Sequence, residues 1–249
     1  LKYLNFTHLF SFKLTNYYFC NLINKYEGEL ALMKFYKLSI IDENKKINFK
    51  YALIEPKSVV FEFTLNDQLM KKWQTAIDKS VPLFLSENDI NPIIDIETSD
   101  ERRHYLLKLP TIPKTVEEMN IVRCWLEKLF KCAFDLCDFE KIVFNPEMIN
   151  RLFYNDKTIL PKFHVKRQDL YPTKNTLENM FDLIYNHLAN TKYLVIDFTH
   201  IENVVQYKDI LFNILINEGD KFTRIRLRNC KLTVVRHLGT DFCGPTFED

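Results

Sequence analysis

Two short stretches limit the possible folds of this chain more than any other feature. Lys162-Phe163-His164-Val165-Lys166 and Arg224-Ile225-Arg226-Leu227-Arg228 each alternate a basic side chain with an apolar one. Successive side chains of a β-strand point to opposite faces, so each stretch reads as a strand with one buried face and one wet face. A parallel sheet covered on both sides would need continuous apolar runs instead. His104 and Lys108 flank Leu106 on one side of a third stretch, against Tyr105, Leu107 and Leu109 on the other. Tyr193-Leu194-Val195-Ile196-Asp197-Phe198 is the exception, apolar on both sides apart from Asp197. The expectation is a sheet with one open face.

Helical spacing fills the intervals. Leu69, Trp73 and Ile77 recur at helical steps after Asn66 or Thr64 as cap. Thr115 and Glu118 form a capping box for a helix drawn from Thr115 to Cys137, with Ile121, Cys124, Trp125, Leu129, Cys132 and Leu136 on its buried side. Pro146 opens a short helix to Phe153, and further helices are predicted over 176–189 and 202–218, the last closed by Gly219. Additional strands are predicted at Val59–Phe63, Val81–Leu85 and Lys141–Phe144, with the acidic, proline-broken stretch from Ser86 to Arg103 as a loop. The last two strand-to-strand intervals are each roughly 30 residues, close to a βα repeat unit. Strands separated by helices give an α/β fold with a mostly parallel sheet. With helices on one face only, the expected architecture is an irregular leucine-rich-repeat-like βα domain.

Composition removes several function classes. Only 4 Gly occur in 249 residues, which argues against phosphate-cradling glycine loops. Lys and Arg number 34 against 33 Asp and Glu, so no global field draws the chain to nucleic acid or membrane. Neither is expected as a partner, and no RNP-type motif occurs. The six Cys are scattered without a CxxC pair, so neither a zinc site nor a disulfide framework is expected, and a reducing compartment, cytoplasm or nucleus, is favoured. The first residues do not form a signal peptide, and no apolar run approaches the roughly 18 residues of a membrane span. The chain begins with Leu1, which points to missing upstream sequence. No cofactor is expected.

Three groups of residues carry candidate chemistry. Asp197 and His200 close a strand, where α/β enzymes place catalytic groups, but no nucleophile elbow precedes them. Glu97, Asp100, Glu101 and His104 match no standard cation spacing. The basic strand faces are the sharper candidate: Lys162, His164 and Lys166, with Arg224, Arg226 and Arg228, form a cationic ladder if the strands lie near each other. Like charges that close repel, and an acidic or phosphorylated protein would relieve the repulsion. The alternative is a solvated strand face neutralised by neighbouring Asp and Glu.

The N-terminal stretch adds a resemblance. Leu4, Phe6, Leu9, Phe12, Leu14, Thr15, Tyr18 and Leu22 recur at helical spacing, broken by short polar residues. The pattern resembles the second half of an F-box, with His8 where the family often has Asp, Tyr18 near the Trp slot, and the opening Leu-Pro segment absent. Phe61-Glu62-Phe63-Thr64-Leu65-Asn66-Asp67-Gln68, Ile121-Val122-Arg123-Cys124-Trp125-Leu126-Glu127, Phe144-Asn145-Pro146-Glu147-Met148-Ile149-Asn150 and Ile214-Leu215-Ile216-Asn217-Glu218-Gly219-Asp220-Lys221 are similar to an expanded F-box-like family of plant-parasitic nematodes. The resemblance implies a truncated F-box-like module over 1–40, a linker near 42–50 and a substrate-recruiting βα domain over 51–249. It implies a non-catalytic substrate receptor of an SCF-type ubiquitin ligase. Leu4, Phe6, Leu9, Phe12, Leu14 and Tyr18 would dock on a Skp-type adaptor and its cullin complex. Two alternatives stay open: a stand-alone βα interaction scaffold whose first helices belong to its own core, and an enzyme using Asp197 and His200.

Overall fold

The structure, a computed structural model, describes residues 15–19, 22, 32–45, 47–56, 65–87, 90–99, 102–157, 159–201, 203–209, 211–212 and 222–230. The strands are β1 (Met33–Asp42), β2 (Tyr51–Ile54), β3 (Phe84–Ser86), β4 (Pro92–Glu97), β5 (His104–Leu107), β6 (Cys132–Phe139), β7 (Ile142–Phe144), β8 (Phe163–Leu170), β9 (Leu188–Ala189), β10 (Tyr193–Asp197) and β11 (Arg224–Arg228). The helices are α1 (Asp67–Asp78), α2 (Val116–Phe130), α3 (Pro146–Leu152) and α4 (Leu177–His187), with a 3-10 turn over Val204–Tyr207.

A nine-stranded sheet runs in the order β11-β10-β8-β6-β1-β4-β5-β2, with β9 beside the start of β8. It is mostly parallel, as the strand–helix alternation predicts; β4 runs against both its neighbours. β3 and β7 form a separate antiparallel pair. The chain starts the sheet in the middle, at β1. It builds β2, β4 and β5 on one side, then returns to place β6, β8, β10 and β11 in succession on the other.

The four helices and the β3–β7 pair share one apolar core with one face of the large sheet. Leu38, Ile40, Ile94, Phe134, Cys137, Phe163, Val165, Leu194, Ile196 and Ile225 point into it from the strands. Leu69, Trp73 and Ala76 of α1 meet them, with Met119, Val122, Leu126 and Leu129 of α2 and Leu177, Met180, Leu183 and Ile184 of α4. The helix starts follow the cap chemistry. Asn66 Oδ1 accepts from the Leu69 N–H at 2.9 Å, Thr115 Oγ1 accepts from the Glu118 N–H, and Pro146 sits in the first turn of α3 behind Asn145. Arg123, buried deep among the helices, donates to the Leu152 carbonyl and to Asp156, and lies 4.6 Å from the Phe153 ring centroid. It thereby closes the C-terminal end of α3 against α2.

Among the described residues, turns are made without glycine. Ser80, Arg102, Asn155, Asn190 and Asn229 all hold φ between 46° and 60°. Asn tolerates this left-handed region better than most residues, so it takes the place of the scarce Gly.

Three segments differ from the sequence expectation. Residues 33–42 form the central strand β1, paired with both β4 and β6, where the end of an F-box-like module and the start of a linker are expected. The break drawn at 40–51 therefore falls inside the sheet. The helix drawn from Thr115 to Cys137 stops at Phe130, and Cys132–Phe139 is strand β6. The acidic loop contains β4, whose six residues are all buried. The predicted strand Val59–Phe63 and the Gly219 cap lie outside the described residues, as do Leu4, Phe6, Leu9, Phe12 and Leu14. Of the N-terminal set, Tyr18 is described. It sits in a helical turn with Tyr17, capped by Asn16 Oδ1 accepting from the Phe19 N–H at 3.0 Å. Tyr17 and Tyr18 are 81% and 70% exposed, respectively.

Candidate functional site

The sheet face away from the helices carries the charge. Its amino-terminal half has an unusual local geometry that sequence periodicity does not reveal. In β8 Val165 is buried in the core, Lys166 and Arg167 are both exposed, and Gln168 is buried again. The same slip occurs in β6, where Phe134 and Cys137 point inward with Asp135 and Leu136 between them. β1 repeats it, with Phe35 and Leu38 against the core and Tyr36 and Lys37 outside. The three slips lie side by side, because Phe35, Phe134 and Val165 are in register, as are Lys37, Leu136 and Arg167. This crease sets two consecutive side chains per strand on the open face.

Beyond the crease the same face carries a row of buried and half-buried polar groups, its three carboxylates each with a partner. In register across β4, β1, β6 and β8 stand Asp95, Ser39, Asp138 and Asp169. Arg167 holds Asp169 through two hydrogen bonds of 2.8 Å. That fork raises the Arg167 pKa above its ordinary value. Lys37 Nζ donates to Asp138 Oδ2 at 2.8 Å. Burial pulls the Lys37 pKa down, but the Asp138 bond and charge, with Asp95 and Glu97, raise it overall. His104 Nδ1 lies 3.0 Å from Asp95 Oδ1, and Phe49 stacks on the His104 ring at 3.8 Å.

The strand starts present the opposite sign. A concavity of about 420 Å³ is lined by Lys166, Arg167, Arg224, Arg226, Tyr193, Val195 and a single carboxylate, Asp135. A second, of about 250 Å³, adjoins it through shared Lys166 and Asp135, and is lined by Lys34, His164, Asn190 and Lys192. The predicted basic set therefore divides. Lys166, Arg224 and Arg226 meet around the larger concavity, and His164 and Lys166 around the smaller. β10 separates the two predicted strands, so their side chains meet across it rather than as direct neighbours. Lys162 precedes β8 and is half-buried; Arg228 stands at the far end of β11, opposite Asp197. Sequence reasoning missed Lys34, Asp135, Arg167, Asn190, Lys192 and Tyr193. Arg167 was hidden by the crease, since strict alternation turns it inward. Lys192 and Asn190 sit in the turn before β10, where no pattern marks them.

Asp197 has a structural post. Its Oδ1 accepts from the Thr199 N–H at 3.0 Å, from the Asn229 amide at 2.8 Å and from the Thr199 hydroxyl. Burial pushes its pKa up, yet these bonds and the Arg228 charge bring it below its ordinary value. His200 is exposed. Cys137 and Cys132 are held as thiols by burial, Cys132 with a pKa of about 12. A crevice of about 560 Å³ opens at the other end of the strands, where the chain path reverses between β1 and β6, lined in part by Lys37, Asp42, Lys45, Phe49 and Asp138. Among the described residues, no group of three or more His, Cys, Asp or Glu is placed to hold a metal ion. Nor is any helix among them long and apolar enough to cross a membrane.

No curated protein and no solved structure matches this chain. A family model described as Domain of unknown function (DUF8381) matches residues 54–199. The match takes in His164, Lys166, Arg167 and Lys192, and leaves Lys34, Arg224 and Arg226 outside it. Because the matched span covers more than half of the 249 residues, the chain belongs to the DUF8381 family.

Proposed function

We propose that this protein is a non-catalytic receptor that holds an acidic or phosphorylated protein partner on the basic end of its open sheet face. The observation that carries the reading is the 420 Å³ concavity, where Lys166, Arg167, Arg224 and Arg226 converge from two strands on either side of β10 with one carboxylate, Asp135, among them. Lys166, Arg224 and Arg226 bring cationic groups to this concavity beside an Arg167 already bound to Asp169, in a chain whose net charge is only +1. Arg forks suit carboxylate and phosphate groups, and Tyr193 and Val195 supply an apolar floor.

The F-box-like resemblance extends this reading to a substrate receptor of an SCF-type ubiquitin ligase. Residues 4–22 would dock on a Skp-type adaptor, and the ubiquitin chemistry would belong to other subunits. The exposed Tyr17 and Tyr18 support a docking role for that segment. The run β6-β8-β10-β11, where successive strands add in one direction, supports the leucine-rich-repeat-like description of the recruiting half. A stand-alone scaffold is the second reading. It is favoured by β1, which follows the N-terminal segment closely and lies in the middle of the sheet.

The test has two arms. Fluorescence anisotropy with an acidic peptide, with and without phosphoserine, should show binding that Lys166→Gln/Arg224→Gln/Arg226→Gln weakens on the order of 100-fold, about 2.7 kcal/mol, at unchanged fold. Equal binding by the triple variant overturns the basic-face reading. Deleting residues 1–22 should abolish co-elution with a Skp-type adaptor while the remaining sheet stays folded. If the undeleted chain does not retain the adaptor, the ligase link fails and the scaffold reading stands.

A further inference from the structure

We propose that the smaller concavity around His164 is a dedicated seat for a phosphoryl group. It would let the face select a phosphoserine- or phosphothreonine-bearing protein over one that is merely acidic. The inference rests on the anionic-partner reading above and narrows it to one chemical class.

The two concavities differ in the donors they present. The larger is rich in Arg, whereas the smaller gathers Lys34 from β1, Lys166 from β8 and Lys192 from the turn before β10, around His164. Among the described residues no ion pair involves Lys34, Lys166 or Lys192. Asp135, on the boundary with the larger concavity, is the one carboxylate among the described residues lining the space. Lys ammonium groups are point charges that can gather on a compact multivalent anion from three directions. A phosphoryl group carries about −1.5 to −2 at neutral pH and three acceptor oxygens, whereas a carboxylate side chain carries one charge. The space, about 250 Å³ or roughly eight waters, suits a phosphoryl group with its linking methylene. A free phosphate ion would leave the adjoining Arg-lined space unfilled; a polypeptide can place flanking acidic side chains there.

His164 makes the site readable. Its Nδ1 lies 3.0 Å from the Asn190 amide, which leaves Nε2 as the ring's second polar atom. Burial holds its protonation below the ordinary range. The groups around the ring are Lys34 on β1, Asp135 on β6, Lys166 on its own strand, and Asn190 and Lys192 in the following turn. Lys162 stands two residues before it. A dianion seated beside the ring favours the imidazolium against that burial, so anion binding and His164 protonation must favour each other.

The experiment uses the full chain with 15N-labelled histidine, and His164 is assigned by His164→Gln. Inorganic phosphate should raise the His164 titration midpoint by about one pH unit, which by linkage is a tenfold preference of the anion for the protonated ring. Lys34→Gln/Lys192→Gln should lose most of that shift, while Arg224→Gln/Arg226→Gln should keep it. A phosphoserine peptide should reproduce the shift, and its unphosphorylated acidic counterpart should not. If phosphate leaves His164 unmoved while the acidic peptide still binds the Arg-lined concavity, this inference falls and the receptor reading survives. If neither peptide binds, the receptor reading itself falls. If single-stranded RNA binds more tightly than the phosphopeptide and shifts His164 equally, the occupant is nucleic acid and the proposal is overturned.

Discussion

The two ends of the open sheet face carry charge in opposite ways. Past the crease, carboxylates occupy the face, and each is bound to something in the same molecule: Asp95 to His104, Asp138 to Lys37, Asp169 to Arg167, Asp197 to Thr199 and Asn229. Before it, Lys34, Lys166 and Lys192 make no ion pair within the described residues. A charge already satisfied by its own fold contributes to stability and has little left to offer a partner. A charge left in solvent does the reverse, because it contributes little to stability and keeps its binding capacity. The sign pattern therefore separates a structural acidic zone from a recognition zone on one continuous surface.

The sharpest attack on that division is at Asp169, which is 7% exposed and faces Asp138 directly across the β6–β8 ladder. Asp169→Ala removes both bonds from Arg167. The expected loss is about 1–2 kcal/mol by urea unfolding. Repulsion between the facing Asp138 and Asp169 is relieved at the same time, which holds the figure below that of an isolated buried pair. A loss under about 0.3 kcal/mol would mean that the acidic zone is as dispensable as a solvated surface, and the division would collapse.

Much of this plan can be read from period-two alternation alone. Arg224-Ile225-Arg226-Leu227-Arg228 shows its outer and inner faces in the sequence, and the structure buries Ile225 while leaving Arg224 exposed. The caps at Asn66 and Thr115 are legible for the same reason, since a local hydrogen bond needs only local sequence. The crease is not legible. By turning two neighbours outward it spaces the inward residues by three: Phe35 to Leu38, Phe134 to Cys137, Val165 to Gln168. That interval imitates one turn of helix, and Cys132 and Leu136, four apart, carry the α2 pattern on into β6. β4 is hidden differently. Asp95 and Glu97 look like loop residues until His104 and Lys37 arrive across the sheet to face them, and for Lys37 sequence distance conceals the partner. The site suffers most, because Lys34 belongs to β1 and Arg167 to the crease.

A smaller effect distinguishes the acidic zone by its response to acid. Asp197 is held below its ordinary pKa, so it contributes stability that is fully present above the unfolded value, near 4, and is lost as pH falls through the lower folded value. Asp197→Asn keeps an acceptor oxygen but loses the charge; the expected deficit is about 1 kcal/mol at pH 7. The deficit should shrink toward zero as both proteins are taken below pH 4 in urea titrations. A deficit that stays constant with pH would show that shape, and not ionisation, fixes this turn.

The recognition zone should give the smallest effect on stability, and its sign is the informative part. Lys166 and Lys192 share one concavity with Lys34 and His164, so in the empty protein they repel one another. Lys166→Gln/Lys192→Gln should therefore leave unfolding free energy within about 0.5 kcal/mol of the parent, shifted upward if at all. Salt provides the control. At 0.01 M ionic strength the Debye length is about 30 Å and the cations feel one another fully, whereas at 1 M it is about 3 Å. Added salt should raise the melting temperature of the parent more than that of the variant, until the two converge. If instead the variant melts lower at every salt concentration, these lysines hold the fold together, and the basic end is built on the same principle as the acidic one.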